Sequence, residues 1–154
     1  MAMLPFADLA FGETSELYKK LVLDEQKVQF VSAGAQTKRD PFPFMIYSRV
    51  KAESDMDYVI SEIEKTIEHF KNNLVSKEQL DNLKKRMKYQ FLMGLDSPES
   101  VASVLPMFIT LTGDIEVLDE YFIQMMDITP EDIQRAVKKY FVKESRNQVI
   151  LTGN

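Results

Sequence analysis

"LYKKLVLDEQKVQFVSAG", residues 17–34, changes its period halfway along. Leu17, Leu21 and Val22 recur at helical spacing, and Thr14 or Ser15 stands where an N-cap hydroxyl is wanted. From Val28 onward the side chains alternate instead. Val28, Phe30 and Ser32 are expected on one face of a strand, and Gln29, Val31 and Ala33 on the other. Asp24 and Glu25 mark the corner between helix and strand.

The pattern extends outward on both sides. Upstream, Leu4 to Phe11 reads as the tail of a helix stopped at Gly12, a residue able to take the left-handed C-cap conformation. Downstream, "DPFP" (40–43) turns the chain into a second alternating stretch, Phe44 to Lys51. After residue 54 the period is helical. Met56, Val59, Ile60, Ile63, Ile67 and Phe70 form one apolar stripe. Ser76 and Gln79 make a capping box for a helix that turns Leu80, Leu83, Met87 and Phe91 inward.

Ser97-Pro98 opens another helix, which Pro106 should kink or divide. Gly113 is expected to stop it and Asp114 to cap the next. Thr129-Pro130-Glu131-Asp132 combines an N-cap, a proline at the first helical position and acid at the positive end of the helix dipole. "NQVILTG" (147–153) reads as a closing strand. The order predicts one α+β domain over residues 1–154, with helices on one face of a mostly antiparallel sheet in a split βαβ arrangement. That arrangement needs a strand ahead of the first helix, so the domain reads as truncated at its N-terminus.

Composition narrows the function. A chain of 154 residues supports one sizeable core. It has no cysteine, which removes disulfides and thiolate metal sites. With 24 acidic against 19 basic side chains the formal charge is −5, the wrong sign for nucleic acid. Lys84, Lys85, Arg86 and Lys88 are read as a solvated helix surface. The longest apolar run, Val101 to Leu111, falls short of the ~20 residues that span a bilayer. No nucleic-acid or membrane partner is therefore expected. No secretory signal is read in "MAMLPFADLAFGE", and the compartment stays open.

The chemistry-bearing residues are few. His69, the single histidine, lies away from the apolar stripe, among Lys65, Thr66, Asn72 and Asn73, none of them a zinc ligand. Of the acidic pairs, Asp55 with Asp57, Asp119 with Glu120 and Glu131 with Asp132 are explained by first turns of helices. Asp24–Glu25 is not, and is the one pair with a claim to touch substrate. Met125–Met126 reads as core filling rather than a binding groove. Glycine-rich phosphate loops, a nucleophile elbow and a triad base are all missing. No catalytic, cofactor-binding or metal residue is assigned to this chain.

Three stretches in colinear order carry a resemblance. In "GETSELYKKLVLDEQ" the residues Gly12, Ser15, Leu17, Tyr18, Leu21, Glu25 and Gln26 resemble a pattern of the insulinase, or pitrilysin, zinc peptidases. "TGDIEVLDEYFIQMMDITPEDIQRAVKKYF" (112–141) and the closing "SRNQVILTG" are similar to later parts of the same domains. The resemblance implies repeated α+β domains, a fold shared with the processing peptidases, paired around a substrate chamber. It places zinc on one catalytic domain bearing His-x-x-Glu-His, a motif missing here. This chain therefore resembles a non-catalytic companion domain, with no cofactor of its own. The implied partners are a catalytic domain of the same parent or of a partner subunit, and the parent's peptide substrate. In the substrate-gripping domain of some members an arginine and a tyrosine flank the Glu-Gln pair; Val22 and Gln29 stand there, against direct gripping. A scaffold subunit of peptidase-like fold and a small-ligand module are the alternatives. With a strand missing, self-association through open edges is expected.

Overall fold

The computed structural model describes residues 1–35, 42–94, 96–112 and 117–152. Helix α1 (Met3–Phe11) leads through a short turn to α2 (Glu16–Tyr18), which continues as a wider π-helical segment, Lys19–Asp24. Strands β1 (Val28–Ala35) and β2 (Phe44–Val50) form an antiparallel pair. Five helices follow: α3 (Met56–Asn72), α4 (Lys77–Met93), α5 (Pro98–Thr112), α6 (Val117–Asp127) and α7 (Pro130–Tyr140). The α+β reading stands.

The caps fall where the side chains put them. Ser15 Oγ accepts the Tyr18 N–H at 3.1 Å, Ser76 Oγ the Gln79 N–H at 3.1 Å and Ser97 Oγ the Ser100 N–H at 3.1 Å. At α7 the box is reciprocal: Thr129 Oγ1 accepts from the Asp132 N–H at 3.2 Å, and Asp132 Oδ2 from the Thr129 N–H at 3.0 Å. Each cap satisfies a backbone donor that the first helical turn leaves orphaned. The expected stop at Gly113 and cap at Asp114, and most of the "DPFP" turn, lie outside the described residues.

Three local expectations change. Gly12 is not left-handed; it takes extended angles (φ −70°, ψ 166°). It is required by crowding instead, because a Cβ there would stand 2.5 Å from the Asp8 carbonyl oxygen. Helix α5 runs through Pro106 unbroken, with the proline exposed. One lost bond on a solvent-facing turn can be made good by water. Strand β1 does not alternate simply. Val28 pairs with Val50 and Val31 with Ser48, so three steps on β1 match two on β2. This bulge turns Val28 and Val31 to the same side, where both are buried, and leaves Phe30 outside.

The core gathers on one aromatic ring. Phe6 of α1 is wholly buried, and the rings of Phe11, Phe44, Phe70 and Phe141 stand 5.8, 5.7, 5.3 and 5.3 Å from it. Those partners come from α1, β2, α3 and the end of α7. Ile133 and Val137 of α7, Val59 of α3 and Leu21 of the π-helical segment complete the same cluster.

The closing strand does not join the sheet. Among the described residues the sheet has two strands, and 147–152 makes no ladder. Val149 and Leu151 are 81% and 90% exposed. The composition favours a strand, but a strand with no neighbour has no backbone partners to hold it.

Replacing Phe6 by alanine removes the ring that four others contact, and is expected to cost about 3–5 kcal/mol in urea unfolding. Tyr89→Ala, at a residue 67% exposed, should stay within about 0.5 kcal/mol. Equal losses for the two would contradict the placement of the core.

Candidate functional site

The helix-to-strand corner carries the densest polar chemistry. After one α-helical turn the backbone widens, and the Glu25 N–H reaches the Lys20 carbonyl at 2.9 Å. Gln26 then takes a positive φ of 53°, a sparsely populated conformation for a side-chain-bearing residue. Single π turns and such residues concentrate at functional sites. Here the geometry aims three side chains at α3 and its N-cap residue, Asp55. Lys20 Nζ bonds Glu62 Oε2 at 2.6 Å, Lys27 Nζ bonds Asp55 Oδ1 at 2.5 Å, and Glu25 Oε1 accepts the Tyr58 hydroxyl at 2.9 Å. Lys65 Nζ closes on the other Glu62 oxygen at 2.7 Å. Both Lys20 and Lys27 lie over the Tyr58 ring, at 5.6 and 5.3 Å.

The electrostatics are those of a matched network. The Glu62 carboxylate is held below the usual range, first by Lys20 and then by Lys65, despite its burial. Glu62 raises the Lys20 ammonium in turn, and Asp55 raises that of Lys27. All three shifts favour the charged forms of Lys20, Lys27 and Glu62. The corner is pinned to α3, and Glu25 is accounted for by Tyr58. Asp24 is exposed. Val22 packs at the edge of the core, and Gln29 is exposed in the bulge.

The remaining candidates stand apart from this corner. His69 is exposed on α3, with its Nδ1 3.2 Å from Asn73 Nδ2. Among the described residues no three His, Asp or Glu side chains are placed to hold a metal, so the donor set does not fit zinc. Asp55 pairs with Lys27, while Asp57, Glu120 and Glu131 are exposed. Asp132 serves the α7 cap, and the Thr129 backbone N–H and hydroxyl hold its carboxyl low. Met125 is core, as read; Met126 is 40% exposed.

The basic run on α4 requires a correction. Lys84 is buried, and its Nζ donates to the Met126 carbonyl at 2.6 Å, satisfying an orphaned acceptor in the last turn of α6. Arg86 bonds Asp8 of α1 and, at 3.4 Å, Thr14 Oγ1. Of the four, Lys85 and Lys88 are exposed.

Beside β1 lies a cavity of about 420 Å³. One face of α1 (Leu4, Ala7, Asp8 and Phe11) forms one wall, and β1 from Phe30 to Gly34 forms the other. The polar side chains on this lining are those of Asp8, Glu13, Tyr18 and Ser32. No helix among the described residues is long and apolar enough to cross a membrane.

Comparison with known proteins agrees with this picture. No protein-family profile matches the chain. The zinc protease PqqE of Helicobacter pylori is 25% identical over 147 residues, covering 93% of this chain and 32% of that protein. A crystal structure of a protease from H. pylori superposes with a TM-score of 0.83 at 21% identity, over 94% of this chain and 35% of the other. The inactive domain of a peptidase M16 from Pseudomonas fluorescens superposes at 0.75 with 16% identity, over 90% of this chain and 33% of the other. The fold is shared with these two solved structures, and the resemblance to the insulinase-type zinc peptidases is borne out. The chain spans about a third of the curated relative it matches.

The Glu62 network generates a pH-dependent prediction. A carboxylate whose pKa is depressed on folding contributes stability above its unfolded pKa and loses it as pH falls through the folded one. Glu62→Gln should therefore lower stability by about 1–2 kcal/mol at neutral pH. The difference from the parent chain should shrink as pH falls through and below the ordinary carboxylate range. A difference independent of pH in urea unfolding would contradict the charged role.

Proposed function

We propose that this chain is a non-catalytic domain of an insulinase-like zinc metallopeptidase, which packs against the catalytic domain and walls the substrate chamber. The observation that carries the reading is the fold likeness to an inactive peptidase domain over nine-tenths of the chain. The failure of the donor set to fit zinc agrees with it. On this reading zinc belongs to a catalytic domain of the parent or of a partner subunit, and peptide substrate meets this domain as a wall. The single α+β domain over residues 1–154 is the unit that packs. On its own, the chain self-associates through its open strand edges.

The purified chain should hold no stoichiometric zinc by elemental analysis and should show no chelator-sensitive peptide hydrolysis. Co-expressed with the catalytic domain of its parent, it should copurify and raise hydrolysis. One tightly held zinc per chain, or chelator-sensitive cleavage by this chain alone, would overturn the reading.

A further inference from the structure

The cavity beside β1 is built along an edge. Successive strand residues point to opposite faces, so a cavity that touches every residue from Phe30 to Gly34 runs beside the backbone. Strand β2 occupies one edge of β1, which makes this the outer edge. Leu4, Ala7, Asp8 and Phe11 of α1 wall the slot at helical spacing.

This edge has little of the usual protection. Strand edges are commonly shielded by charge, proline or a bulge, and Val28–Ala35 contains neither a charged residue nor a proline. Its bulge lies between Val28 and Val31 and leaves the rest of the slot regular. Strand β2, by contrast, carries the exposed Arg49.

At the other end of the chain stands a segment of complementary character. Gln148–Thr152 has no charge and no proline, and presents Val149, Ile150 and Leu151 at 81%, 48% and 90% exposure. Its root is fixed: Arg146 pairs with Glu64 of α3 and donates to Gln148 Oε1 at 2.5 Å. In its own chain the segment so held lies in solvent and fills nothing. Five extended residues span roughly 16 Å, the same run as the five residues lining the slot.

Resting on the self-association reading above, we propose that Gln148–Thr152 of a second copy adds as a strand to the outer edge of β1. Backbone hydrogen bonds supply the pairing, and alternate apolar side chains enter the slot against α1. Exchange is reciprocal, since each copy offers one segment and one edge, and it closes as a two-fold dimer.

Sedimentation velocity on the 154-residue chain, over about a hundredfold range of concentration, tests this. Two variants probe the two surfaces. Val149→Lys combined with Leu151→Lys alters side chains already in water. Gly34→Phe adds bulk to the slot at a position where a Cβ meets no atom within 4 Å. Circular dichroism confirms that both remain folded. The expected result is a dimer that each variant weakens by at least about tenfold. A dimer indifferent to both variants would overturn this docking while leaving self-association through another surface. A monomer at every concentration would overturn both readings. A monomer whose 148–152 amides resist hydrogen exchange would place the segment on its own edge, and would also overturn the proposal.

Discussion

The structure depends on the burial of one phenylalanine. Phe6 is wholly excluded from water, and its neighbours arrive from a helix, a strand and the ends of two further helices far apart in sequence. Phe44 and Phe141 also touch each other, at 5.3 Å, so the cluster closes on itself. Edge-to-face aromatic pairs are each worth about 0.5–1.5 kcal/mol beyond the area they bury. More consequentially, the cluster fixes where α1, β2, α3 and α7 stand relative to one another. The β1 slot exists because α1 is held there.

That arrangement also sets which polar groups have partners. The charged groups of the corner are spent on each other: Lys20, Lys65 and Glu62, Lys27 and Asp55, Glu25 and Tyr58. The single histidine faces solvent beside an asparagine. Among the described residues the sheet has two strands, which leaves β1 an outer edge, and Val149, Ile150 and Leu151 are exposed. Open edges and exposed apolar side chains are the features that neighbouring domains or copies cover.

Local structure was legible where one residue type has one strong local role. Ser15, Ser76, Ser97 and Thr129 cap the helices their spacing announced, because a hydroxyl at that position satisfies a donor whatever lies beyond. The bulge in β1 was not legible: Val28 and Val31 sit at odd spacing, and only the pairing with β2 shows both turning inward. Lys84 was misread by its charge. Its spacing from Leu80, Met87 and Phe91 places it within the apolar stripe of α4, a signal strong enough to have found it. The expected closing strand over 147–153 does not form among the described residues, because strand formation needs a partner that composition does not contain. The slot beside β1 is a relation between two elements, so no single stretch announces it.

The central claim is that the stable part of this chain is the set of elements gathered around Phe6, with the sheet open at its outer edge. Residue-resolved hydrogen exchange at low protein concentration tests it most directly. The account predicts the slowest amides in α1, α3 and α7 and in the hydrogen-bonded pairs between β1 and β2. Residues 147–152 should exchange at close to unprotected rates. Slow exchange centred on α4 to α6, with α1 and α7 unprotected, would contradict it.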